Sequence, residues 1–270
     1  MFTLQEILER ETRVFLDTSV LSSFYDGTSS FEEADLIKES DSVIILSDVL
    51  DEVRAFRTAI SKVRKKIKKA KRVTKSGESG LHYELSDKCN NIEIKTHFVK
   101  RLLSILRERV INLGELQKYQ TFREILFYLE DNLRLKKQHS DNRTDESLVA
   151  AALFLTIYGK GNSAIVSGDS DIQRLLNGFL GTINRKELIP YNERIVRGLN
   201  EKRIRVYFRI PGTQQYKIGL DSSEAKLYYL PLVKEDLLGL VLQQLIYLRD
   251  DQSNLCSVKA GHLPHVVFSP

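Results

Sequence analysis

Three short apolar runs constrain this chain more than any other feature. Arg13–Leu16 leads into Asp17, Ser42–Leu46 (SVIIL) is compact and rich in β-branched residues, and Ser163–Ser167 (SAIVS) leads into GDSD. Runs of this length and composition read as buried strands. Helical patterns lie between them. A short helix is expected from Ser19 to Tyr25. A long one starts near Val49, where Val53, Phe56, Ile60, Val63, Ile67 and Ala70 recur at spacings of three and four. That stripe is one face of a helix and predicts core packing. Phe98, Leu102, Ile105, Leu106 and Val110 mark another helix, and Phe122, Ile125, Leu126, Leu129 and Leu133 a further one. LVAAALFL follows Thr144, and a short helix is expected from Ile172 to Leu176. Strands alternating with helices predict an α/β fold with a parallel sheet sandwiched by helices.

After about Arg203 the period changes. Ile204, Val206, Phe208 and Ile210 alternate, YKIGL and KLYYLPL read as strands, and Leu237–Leu248 is apolar nearly all round. The expected division is a main domain over 11–199, with a helical, basic insertion at 53–136, and a small α+β module over 200–270. An all-round apolar helix is buried in the fold or in an interface, so a homo-oligomer is one expected partnership.

The 270 residues are enough to bury a core without disulfides or a structural metal. The two cysteines, Cys89 and Cys256, stand far apart. That excludes a disulfide framework and suggests a reducing compartment, with the cytoplasm as the expected location. The N-terminus carries acids where an export signal would be apolar. The longest apolar stretch, Leu148–Ile157, falls well short of the ~20 residues of a membrane helix, so no membrane partner is expected.

Charge is unevenly distributed. Between Val53 and Gly77 there are eleven Lys and Arg residues and no acid, while the rest of the chain holds 30 basic against 36 acidic side chains. Such a segment is an electrostatic footprint for phosphates. Arg64, Lys65, Lys66, Lys68, Lys69, Lys71 and Arg72 are the candidate nucleic-acid contacts. Treating all the cations as unmatched favours an anionic partner over a merely solvated face.

Acids stand at the strand ends and helix starts. Asp17 ends the first strand, Glu52 opens the long helix, Asp145 and Glu146 follow Thr144, and Asp169 and Asp171 follow SAIVS. Sites in parallel sheets form at the carboxyl ends of strands. Any one of these acids could simply cap a helix. Together they would repel one another unless a divalent cation lay among them. Oxygen ligands alone suit Mg²⁺ or Mn²⁺ rather than zinc.

VFLDTSVL around Asp17, ILSDVLDEV around Glu52, TDESLVAAAL around Asp145 and VSGDSDIQRLL around Asp169 stand in the order and context of a PIN-domain nuclease. Over roughly residues 11–195 the chain resembles that family. The resemblance implies a metal-dependent endonuclease with Mg²⁺ or Mn²⁺ as cofactor, usually acting on RNA and leaving a 5′-phosphate and a 3′-hydroxyl. It implies Asp17, Asp169 and one of Asp145 or Glu146 as core metal ligands. Glu52 and Asp171 would be supporting acids, and Thr18 or Ser19 would steady Asp17. An antitoxin-like protein partner also comes with the resemblance. The stretch from Glu52 to Asp145 is longer than in compact PIN toxins, and residues beyond 200 lie outside the resemblance.

Such a reaction does not use the ribose 2′-hydroxyl, so single-stranded DNA stays open beside RNA. The rival reading is a PIN-like fold that binds nucleic acid or a partner without cleaving. Cys256, His262 and His265 are one ligand short of a structural zinc site. A haloacid-type phosphatase is rejected, because Ser19 stands where its second Asp is needed.

Overall fold

β1 (Arg13–Leu16) is the inner strand around which the sheet is built. It pairs in parallel with β2 (Val43–Leu46) on one side and with β4 (Ser163–Ser167) on the other. The computed structural model describes residues 1–23, 31–73, 79–132, 143–183 and 189–224. β3 (Val110–Ile111) extends the sheet beyond β2, while β5 (Ile204–Arg209) and β6 (Tyr216–Asp221) extend it beyond β4. The order is β3-β2-β1-β4-β5-β6, parallel throughout except for the antiparallel β5–β6 pair. This is an α/β architecture with a mostly parallel mixed sheet and flanking helices.

The helices are α1 (Leu4–Arg10), α2 (Thr18–Ser23), α3 (Phe31–Glu39), α4 (Ser47–Val73), α5 (Ser79–Arg107), α6 (Leu113–Leu116), α7 (Gln120–Asn132), α8 (Thr144–Tyr158), α9 (Ser170–Ile183) and α10 (Ile189–Glu201). α2, α4 and α9 each begin within three residues of the end of a strand. Their N-termini therefore gather along the carboxyl edge of the sheet. Twelve of the fifteen residues of α8 are buried, so it is a fixed support packed on all sides.

Several expectations shift. Val110, assigned by spacing to a helix, lies in β3, because α5 ends at Arg107 and the chain turns onto the free edge of β2. The apolar stripe of α4 is core only at its base. Val49 and Val53 are buried, whereas Phe56 and Val63 are 40% and 46% exposed. At ~1.5 Å per residue this 27-residue helix is about 40 Å long and outruns the core. Its partner along the outer part is α5, where Arg64 and Lys68 meet Glu93 at 2.8 and 3.0 Å. The boundary expected at about 200 falls just before β5. That strand lies beside β4 in the same sheet, with Ser163 opposite Ile204. KLYYLPL, Leu237–Leu248, Cys256, His262 and His265 lie outside the described residues.

Candidate metal centre

The centre is assembled from three elements at the carboxyl edge. α8 brings Asp145 in its first turn, the turn after β4 brings Asp169, and the first turn of α9 brings Asp171. One carboxylate oxygen from each lies within 4.8 Å of the other two. Asp169 keeps its local role as well. Its Oδ1 accepts the Asp171 N–H at 2.9 Å, the bond by which a capping residue satisfies a helix start. Capping and clustering are therefore not alternatives here, since the cap fixes the direction in which the carboxylate points.

Asp17 stands beside this trio and is buried, at 4% exposure. Two hydroxyls hold it, one from α2 and one from the end of β4. The Ser19 Oγ donates to Asp17 Oδ2 and accepts the Gly168 N–H at 2.7 Å. The Ser167 Oγ donates to the same Oδ2 at 2.7 Å and accepts the Asp169 N–H at 2.8 Å. Each hydroxyl relays a backbone N–H to one carboxylate, so the acid after β1 and the end of β4 are locked together. Burial pushes the Asp17 carboxyl above its usual range, and the nearby Glu52 charge adds to this. The hydroxyls of Ser19 and Ser167 and the Thr18 N–H oppose it.

Glu52 is held from both sides. Thr18 Oγ1 donates to Oε2 at 2.5 Å, and Thr144 Oγ1 donates to Oε1 at 2.7 Å. Thr18 thus serves Glu52, while Ser19 steadies Asp17. The helix cap at α8 is Arg143, which makes no side-chain capping bond, so Thr144 contributes its hydroxyl to the site instead of to its own helix. Glu146 is buried at 7% exposure and is not part of the trio. Of the adjacent pair, Asp145 is the one whose carboxylate meets Asp169 and Asp171. Arg174 comes within 3.6 Å of Asp171 from the exposed side of α9.

A groove of about 890 Å³ opens from this edge along α4. Thr18, Glu52 and Thr144 line its inner end, and Ala55, Phe56 and Ala59 continue it outward. The basic face of α4 is only partly unmatched, contrary to expectation. Arg54 pairs with Asp51 at 2.6 Å, and Arg64 and Lys68 share Glu93. These two cations hold the Glu93 carboxyl down to about 2. Lys65, Lys66 and Lys69 are exposed. The side chains of Lys71 and Arg72 lie outside the described residues.

Sequence reasoning found the acids and Ser19 as a partner of Asp17, and missed other groups that hold them. Ser167, Thr144 as a partner of Glu52, and Phe56 as a groove residue all depend on pairing between distant segments. No protein-family model matches the chain, and no curated protein or solved structure is significantly similar to it. No described helix is long and apolar enough to cross a membrane.

Proposed function

We propose that the protein is a metal-dependent endonuclease that hydrolyses phosphodiester bonds, with RNA the first substrate class and single-stranded DNA the second. The observation that carries this reading is the approach of Asp145, Asp169 and Asp171 to within 4.8 Å of one another, with Asp145 next in sequence to Thr144, which lines the open groove. Three carboxylates this close repel strongly without a cation. The donor set is oxygen alone, which fits Mg²⁺ or Mn²⁺ and does not suit zinc. The four motifs that resemble PIN-domain nucleases support the same assignment.

Asp145, Asp169 and Asp171 would hold the cation. When bound, it supplies charge neutralisation at the attacked phosphate and a path to hydroxide at neutral pH. Asp17, tied to the β4–α9 turn by Ser19 and Ser167, keeps that turn and Asp169 in position. Glu52, fixed by two threonine hydroxyls on the groove wall, is assigned the uptake of the proton from the attacking water.

A second reading has one observation in its favour. Asp17 accepts from two serine hydroxyls and lies outside the trio, as a structural acid would. A binding module would then use the groove without cleaving. The test is incubation of the purified protein with labelled RNA and single-stranded DNA in Mg²⁺, Mn²⁺ or chelator, beside Asp169→Asn. Metal-dependent products with 5′-phosphates, absent in the variant, support the nuclease. Binding that persists in chelator with no cleavage in either metal would leave the module.

A further inference from the structure

We propose that Arg174 is the residue that takes the attacked phosphate: its guanidinium leaves Asp171 for the phosphodiester once a divalent cation occupies the three aspartates. This rests on the nuclease reading and adds a substrate-binding residue outside the acids. The helix fixes where the side chain stands. Ile172, Leu175 and Leu176 are buried, and Gln173 donates to the Gly219 carbonyl at 2.8 Å, so the turn that carries Arg174 is held on its inner side. Arg174 is turned outward, with 66% of its side chain exposed, and its Nη1 comes within 3.6 Å of Asp171 Oδ1, one turn back. Side chains on a helix lean toward its N-terminus, which aims this one at the helix start. The contact is an ion pair too long for a hydrogen bond. Among the described residues, no acceptor lies within hydrogen-bond distance of its five N–H groups.

As a helix device this pair is poor. A cation in the early turns opposes the macrodipole, and an exposed ion pair contributes little to stability. As part of the site it has a role. The three carboxylates outweigh one divalent cation by a unit of charge, and a phosphodiester adds another. The loaded centre would therefore repel its own substrate unless a further cation faced it. Arg174 stands at that place. Whichever oxygen of Asp171 meets the cation, at ~2.1 Å, Nη1 is at most roughly 8 Å from it. A phosphate with one oxygen on the cation and another accepting from the guanidinium at ~2.8 Å bridges a gap of this order. The planar fork also offers two parallel N–H groups, which a lysine does not.

The test uses the full chain and uridine 5′-monophosphate, whose phosphate is the end group the proposed reaction leaves. Titration calorimetry measures the affinity for Mn²⁺, and then for the nucleotide at saturating Mn²⁺, with uridine as the phosphate-free control. Arg174→Gln is expected to weaken nucleotide binding by about tenfold or more and to slow RNA cleavage by about a hundredfold, with Mn²⁺ affinity held within about twofold. Arg174→Lys keeps the charge without the fork and is expected to fall between the two. Thermal melting in chelator confirms that each variant is folded. Arg174→Gln that binds the nucleotide like wild type overturns the proposal. So does a loss matched in Mn²⁺ affinity or in uridine binding, because Arg174 would then act on the acids or on the base. Wild type that cleaves RNA without holding the nucleotide overturns it as well. Arg174-dependent nucleotide binding without cleavage by wild type keeps the phosphate site and overturns the nuclease, and cleavage indifferent to Arg174→Gln does the reverse. A wild type that takes neither Mn²⁺ nor nucleotide overturns both.

Discussion

Asp17 shows how one residue can be legible in type and not in setting. Its place after a strand and the Ser19 hydroxyl two residues on are both visible in LDTS. Ser167 is not, because its hydroxyl reaches Asp17 only through the β1–β4 register that sets Leu16 opposite Val166. The raised carboxyl has a definite sign. A native state that holds its proton to higher pH than the unfolded chain is favoured most below the unfolded value of about 3.9. That advantage is lost as pH rises through the raised native value. Asp17→Asn is therefore expected to melt above wild type at neutral pH in chelator, with the difference closing toward pH 4. Mn²⁺ should raise the wild-type melting temperature, with ~2.7 kcal/mol gained at a hundred times Kd, and should raise the variant's less, because Asp17 holds the turn that carries Asp169. Calorimetry in metal and in chelator measures both; an Asp17→Asn protein less stable in chelator would make this acid structural. At the neighbouring pair, Asp145→Asn is expected to abolish the Mn²⁺ effect and cleavage, while Glu146→Gln keeps them. The opposite result in a cleavage assay would move the third ligand to Glu146.

At the scale of elements, α4 carries the largest difference between pattern and structure. A spacing of three and four shows which residues share a face, but it is local and cannot say where the core stops. Val53 and Val63 look equivalent in the sequence, yet the first is buried and the second is 46% exposed. The same limit explains Val110, which continues a helical spacing but is captured by the edge of β2. The α1 helix was within reach, since Thr3 and Glu6 form a capping box whose T-x-x-E pattern is local. The paired cations sharpen what α4 should do. Replacing Lys65, Lys66 and Lys69 with Gln is expected to flatten the salt dependence of RNA binding by ~0.7 per residue. Replacing Arg64 and Lys68 should change it less, because Glu93 already holds them. Equal effects from the two sets, read as log affinity against log salt, would mean that face does not matter.

For the whole molecule, the deciding question is whether the chain beyond 200 belongs to the main sheet. Ile204, Val206 and Phe208 alternate with Arg205, Tyr207 and Arg209, which in a sequence signals a strand with one face in water. Arg205 is nonetheless 2% exposed and Tyr207 is fully buried. The polar face is satisfied from within. Arg205 reaches Glu11 and Asp221, each at 2.5 Å, and the Tyr207 hydroxyl donates to Glu11 at 2.7 Å. This network binds β5 and β6 to Glu11, two residues before β1, and no local pattern could reveal it. Burial pushes the Asp221 carboxyl up, but its bonds from Ser223 and Arg205 prevail and hold it below its ordinary value. A depressed carboxyl stabilises above its unfolded value, near 3.9, and that contribution disappears as pH falls through the native one. Arg205→Met leaves Glu11 buried with Arg10, 3.9 Å away, as its remaining cation among the described residues, and is expected to cost ~3 kcal/mol in urea unfolding at pH 7. Adding Glu11→Gln should recover part of that loss, because the stranded charge is gone. The single variant should also lose stability less steeply than wild type below pH 4, since the bond holding Asp221 down has been removed. If β5 were part of a separate module, Arg205→Met would leave the main urea transition where it stands in wild type and shift only a second one. A single transition moved as a whole means that the sheet from β3 to β6 unfolds together, and that the network beneath β5 helps to hold the strand whose far end carries Asp17.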